Sequence, residues 1–293
     1  MARMSNIDPA SAPPAATLAS LRAELDRIDD AVHDLLMQRA EIVVKVGALG
    51  AKGRVALRPG READIIRRLL RRHAGALPMR VLPRIWRELF AATTSMQGPY
   101  TATVCEVAPG SGFVALTREH FGVVTPIRVH RSPAQAIGEV SRGTAIAAVL
   151  PMPAQDETAA QAWWTALLAR DEPRIHIVAR LPFWVPRAEG APQVRAFVVA
   201  AVAPDPSSQD RSLLGLEVPV DMSRARLAQV VNEAGFSMGG AILRRDAHDP
   251  LAQALVDVDG YVTDDDPRLA NLPSLRRPVV LGAYAVPADG EIS

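Results

Sequence analysis

Residues 18–49, LASLRAELDRIDDAVHDLLMQRAEIVVKVGAL, decide how the first part of the chain folds. Their apolar side chains Leu18, Leu21, Leu25, Ile28, Val32, Leu35, Ile42, Val46 and Leu49 recur in steps of three and four, the heptad spacing of one long helix with a partner-facing seam. One seam position, between Leu35 and Ile42, holds Arg39. A guanidinium there must be paired or must meet an anion, because an unpaired buried charge costs several kcal/mol. The seam contains no acid, so either an acid of another helix or an anionic ligand meets Arg39.

Composition narrows the function classes. At 293 residues, 48% hydrophobic and 22% charged, the chain has the length of two or three domains. Its 33 basic and 32 acidic residues leave a net charge of +1, too little for a global field that gathers nucleic acid or a membrane surface. The run Arg67, Arg68, Arg71 and Arg72 lacks interleaved aromatics and reads as a solvated helix face, not a nucleic-acid site. Cys105 is the only cysteine, which excludes a disulfide framework or sulfur cluster and suits the cytoplasm. His33, His73 and His176 have no partners at ligand spacing, so no metal is expected. No apolar run approaches the ~20 residues of a membrane span, and Met1–Thr17 has no secretory core.

In chain order, residues 1–17 are rich in Ala, Pro and Ser and read as a disordered lead. A long helix follows, stopped by Gly50 and Gly53; a second runs from about Arg61 to His73 and a third from about Arg80 to Gln97, ended by Gly98-Pro99. These three helices, 18–98, make an all-α domain. Beyond Pro99 the pattern turns α/β over 101–190, with strands at Thr101–Val107, Ala145–Leu150 and Arg174–Ala179 and helices at Ser111–Phe121, Pro133–Arg142 and Trp163–Ala169. After a Pro-rich connector, 194–287 reads strand (Ala196–Ala203), helix (Arg224–Ala234), strands (Gly240–Arg244, Ala254–Val258), helix (Pro267–Leu272) and strand (Val279–Tyr284). That order is βαββαβ, the ferredoxin-like arrangement.

Charged and polar residues cluster in the helical domain. Arg22 lies seventeen residues before Arg39 and projects elsewhere, so the two share a site only across a dimer seam. Arg61 and Glu62 open the second helix, where free backbone N–H groups favour an anion. Thr93 and Gln97, four apart, share one face of the third helix. Together they suggest a cation-rich, amide-tipped pocket with one carboxylate. Each also has a structural reading: Arg22 bridges Asp26, and Glu62 complements the helix dipole.

In Arg22, Arg39, the Arg61-Glu62 pair, Gln97 and its helix lengths, 18–97 resembles the all-helical, intertwined-dimer class of chorismate mutases. The resemblance implies a homodimer through the long helix and rearrangement of chorismate to prephenate without a cofactor. It assigns the substrate carboxylates to Arg39 and the other subunit's Arg22. It sets Glu62 and the neighbourhood of Arg58 against the ring hydroxyl, with Arg61 in support, and makes Gln97 a donor to the ether oxygen. The family's lysine donor is Gly50 here, and on a continuous helix Lys52 would point the opposite way.

The remainder resembles a degenerate prephenate dehydratase with its ACT domain. Phe121-Gly122 and Ser132–Leu150 carry the first likeness, and Val256-Asp257-Val258-Asp259-Gly260 with Leu281-Gly282-Ala283-Tyr284 the second. The dehydratase Thr-Arg-Phe appears as Val194-Arg195-Ala196-Phe197, without the threonine, and the ACT ligand run only as Leu243-Arg244-Arg245-Asp246. The expected function is therefore chorismate mutase with a degenerate C-terminal region. The competing readings are a non-catalytic dimer that binds a metabolite or another aromatic-pathway enzyme, and a bifunctional mutase–dehydratase.

Overall fold

The computed structural model describes residues 17–49, 57–185, 187–246, 249–272 and 274–289. The chain divides into two units, residues 1–52 and 53–293. In the first, α1 (Leu18–Leu49) runs unbroken for 32 residues. The Thr17 hydroxyl accepts the Ser20 N–H at 3.1 Å and the Ser20 hydroxyl accepts the Thr17 N–H at 3.0 Å, a reciprocal cap that starts the helix. No residue of α1 is buried, and its seam stays open, from 47% exposed at Leu21 to 89% at Leu49.

The second unit begins with α2 (Pro59–Arg72) and α3 (Val81–Ser95), then β1 (Ala102–Cys105), α4 (Phe113–Phe121), β2 (Ile127–His130), α5 (Pro133–Ser141) and β3 (Ala147–Pro151). Next come a 3-10 turn at Trp163–Ala169, β4 (His176–Leu181), β5 (Trp184–Val185), β6 (Ala196–Ala200), β7 (Asp210–Pro219), α6 (Arg224–Glu233), β8 (Met238–Arg245) and β9 (Leu251–Asp259). A second 3-10 turn at Pro267–Asn271, β10 (Val279–Ala285) and β11 (Ala288–Asp289) complete it. The segments expected as helices at 163–169 and 267–272 are 3-10 helices, Trp163–Ala169 and Pro267–Asn271.

One mixed sheet of nine strands, ordered β2-β1-β3-β6-β4-β10-β7-β9-β8, carries this unit. The expected boundary near 190–194 falls inside it. β6, expected to open the βαββαβ unit, instead pairs antiparallel with β3 and β4. All five of its residues are buried, Ala196, Val198 and Ala200 on the α4 side and Phe197 and Val199 on the side of α5 and the first 3-10 turn. The opening strand is β7, in a stretch to which the sequence pattern assigned no element. With it, β7-α6-β8-β9-turn-β10 is βαββαβ with sheet order β10-β7-β9-β8, antiparallel throughout. The two halves meet where Gly282 of β10 pairs with Ile177 of β4. There φ is +148°, and a Cβ would collide with the Ile177 backbone, so the junction requires glycine.

The helices α2 and α3 pack on the α/β body. Ala63, Ile66 and Leu70 of α2 and Phe90 of α3 share a core with Phe183, Ala285 and Ala288. Sequence order grouped them with α1; their apolar faces find partners about 90 to 225 residues later, separations that only tertiary packing bridges.

Candidate active site

On α1, Arg22 is exposed and Arg39 half-buried. Seventeen residues of helix place them about 26 Å apart along the axis and on different faces, so a shared site requires α1 of another copy. Gly50 and Lys52 lie outside the described residues.

At the start of α2 the expectation of open N–H groups is corrected. The Asp205 carboxylate accepts the Gly60 N–H through Oδ1 and the Arg61 N–H through Oδ2, both at 3.0 Å. The chain's own anion therefore fills the α2 N-terminus. Gly60 permits the approach, since a Cβ would collide with the Asp205 carbonyl oxygen. Asp64 adds a second latch, accepting the Ser208 N–H at 2.9 Å and hydroxyl at 2.7 Å. Arg58 precedes the helix without capping it through its side chain, and the side chain of Arg61 is exposed.

Glu62 turns inward. Its Oε2 accepts from Nη1 of Arg87 on α3 at 2.6 Å, with side chains only 14% and 7% exposed. Burial weakens the hold of Arg87 on its proton, and Glu62 opposes that effect. Arg87 escaped the sequence reading, although an arginine in an apolar helix face is the signal that singled out Arg39. Thr93, also buried, donates its hydroxyl to the Leu89 carbonyl of its own helix at 2.7 Å. α3 ends at Ser95, so Gln97 sits half-buried in the following turn, its N–H on the Thr94 carbonyl at 3.0 Å. The helix expected to run to about Gln97 thus ends two residues earlier.

Residues 21–98, which hold Arg22, Arg39, Glu62, Thr93 and Gln97, match the family "Chorismate mutase type II". They are a chorismate mutase domain.

Two relatives are bifunctional chorismate mutase/prephenate dehydratases. That of Aquifex aeolicus is 33% identical over 85 residues, 27% of this chain and 24% of its own length. That of Pseudomonas aeruginosa is 30% identical over 139 residues, 45% of this chain and 36% of its own. The chain thus spans about a quarter to a third of these curated relatives. Among solved structures, GqqA, described as a novel type of quorum quenching acylase, aligns with TM-score 0.48 and 18% identity, over 64% of this chain and 96% of its own. Prephenate dehydratase from Streptococcus mutans aligns with TM-score 0.47 and 15% identity, over 64% and 98%.

Beyond the mutase domain, the first βα turn of the sheet is also filled from within. Glu106 accepts the N–H groups of Gly112 at 3.3 Å and Val114 at 2.9 Å, capping α4. Of the quartet 194–197, Arg195 is exposed and Phe197 is buried against the Tyr284 ring, centroids 5.5 Å apart. In 243–246, Arg244 pairs with Asp246, and Arg245 donates to the Val220 and Met222 carbonyls at 2.7 Å. Among the described residues no group of three or more His, Cys, Asp or Glu is placed to hold a metal ion. No helix among them is long and apolar enough to cross a membrane.

Proposed function

We propose that two copies of the chain pair through α1 and that the paired mutase domains convert chorismate to prephenate. The observation that carries this reading is α1 itself: a seam of nine apolar side chains, all solvent-facing, with Arg39 among them, inside the segment that matches the mutase family. A second α1 would cover the seam and bring its Arg22 toward this Arg39. The pericyclic step needs a bound conformer and charge, with no covalent intermediate. Arg39 and the partner's Arg22 would hold the two carboxylates, Glu62 would meet the ring hydroxyl with Arg58 and Arg61 nearby, and Thr93 would line the site. Gln97 would donate to the ether oxygen as its negative charge grows.

A second reading, a non-catalytic dimer that binds a metabolite or an aromatic-pathway enzyme, is favoured by the Asp205 carboxylate on the α2 N-terminus and by the Glu62–Arg87 pair. Gly50, standing where the family has its lysine donor, points the same way. Under either reading the βαββαβ half serves as an ACT-like scaffold. Loss of chorismate absorbance, followed in the parent, Arg39→Ala and Gly50→Lys, separates the two. Parent turnover abolished by Arg39→Ala establishes the mutase. Turnover only in Gly50→Lys marks a pocket lacking its donor, and silence in all three leaves the binding protein.

A further inference from the structure

A cavity of about 340 Å³ opens between the N-terminal half of α3, α4 and residues 181–184 and 187–191. None of its lining belongs to the proposed substrate contacts. Its inner walls are apolar: Leu116 of α4, then Leu181, Pro182, Phe183 and Trp184. Its charged groups are ordered by the helix. Arg80, Arg84 and Arg87 follow at steps of four and three, so they stack along one face of α3, with Arg87 buried at the floor and Arg80 and Arg84 exposed at the mouth.

Two of the four lining arginines are internally compensated. Arg87 pairs with Glu62 at 2.6 Å and Arg187 with both oxygens of Glu119, each at 2.6 Å. Among the described residues the side chains of Arg80 and Arg84 have no ion pair or hydrogen bond. Four arginines against two carboxylates leave two surplus positive charges, both at the rim. Buried beside Arg87, His120 is held well below its ordinary range and stays neutral, so it adds none. A concave site with apolar walls strengthens the field of rim cations on an entering anion, and the volume lies at the small end of ligand sites.

We propose that this cavity binds a small aryl carboxylate, its ring between Leu116 and Trp184 and its carboxylate on Arg80 and Arg84. The site is independent of mutase turnover, although Arg87 at its floor touches Glu62.

The test is calorimetric titration of the full chain with 3-phenylpropanoate and, as neutral isostere, 3-phenylpropanamide. The carboxylate should bind saturably and the amide at least about tenfold more weakly, the scale of lost hydrogen bonds to a charged group. Arg80→Ala/Arg84→Ala should weaken the carboxylate by a similar factor. Ala188→Trp, a substitution at an exposed lining residue, should fill the mouth and abolish binding. All three positions are exposed, and unchanged thermal midpoints would show that the fold is retained. No saturable binding by the parent, equal binding of acid and amide, or binding that survives either variant overturns the proposal.

Discussion

Replacing Asp205 by alanine is the sharpest probe of how this molecule is held together. Its carboxylate accepts two backbone N–H groups at 3.0 Å from the first turn of a helix about 145 residues earlier in the chain. A hydrogen bond to a charged group contributes about 1.5–3 kcal/mol, and loss of an N-cap side chain costs about 0.5–2 kcal/mol. The Arg61 N–H bond is solvent-exposed and the Gly60 one half-buried, so water takes over part of the loss. The expected destabilisation is therefore about 2 kcal/mol, roughly 4–8 °C in midpoint for a unit of this size. Urea unfolding followed by circular dichroism should show a lower midpoint with unchanged slope. Asp205→Ala also exposes the α2 N-terminus to solvent anions, so sulfate should stabilise the variant more than the parent. A change below about 0.5 kcal/mol, the range of an ordinary surface substitution, together with equal sulfate responses, would refute the latch.

Arg87→Met removes one partner of a nearly buried ion pair and should cost about 3–5 kcal/mol. Combined with Glu62→Gln it should cost less than the two single changes together, and strict additivity in a denaturant double-mutant cycle would show that the pair is not coupled. Burial, with Arg87 beside it, holds His120 well below its ordinary range, and burial with Arg174 lowers His176. Both hold a proton less tightly when folded, so the unfolded chain takes up these protons first as the pH falls. Their contribution is present above the ordinary histidine value of about 6.5 and is lost below it, at no more than about 1.4 kcal/mol per pH unit for each. His120→Gln should flatten the decline between about pH 7 and pH 5, and an unchanged slope would count against this origin. Leu35→Asp, at a seam residue exposed in the single chain, should turn dimers into monomers in sedimentation without lowering monomer stability. A variant that sediments as the parent does would sink the α1 seam as the interface.

Much of this architecture is written in local pattern. The heptads of 18–49 and the apolar stripes of α2 and α3 reflect a period that each helix imposes on its own side chains, and 254–258 and 279–284 are short apolar runs of strand length. Pairing is not of that kind. β6 and the middle of β7 are both short apolar runs, and nothing in AFVVA or SLLGL says which opens the βαββαβ unit. That is decided by neighbours: β3 and β4 flank β6, whereas β10 and β9 flank β7.

The candidate site divides in the same way. Residue type and helical spacing singled out Arg22, Arg39, Glu62, Thr93 and Gln97 as candidates. What surrounds them was not. Asp205 on the α2 N-terminus, Arg87 against Glu62 and Glu106 on α4 are carboxylate and guanidinium contacts whose partners lie 6 to 145 residues apart. By itself the sequence determined the elements and the charged residues they carry, since both follow from the short-range geometry of helix and strand. Only the tertiary structure decided which helix ends are already filled by the chain's own anions, because a charge satisfied at long range leaves no mark on the residues beside it.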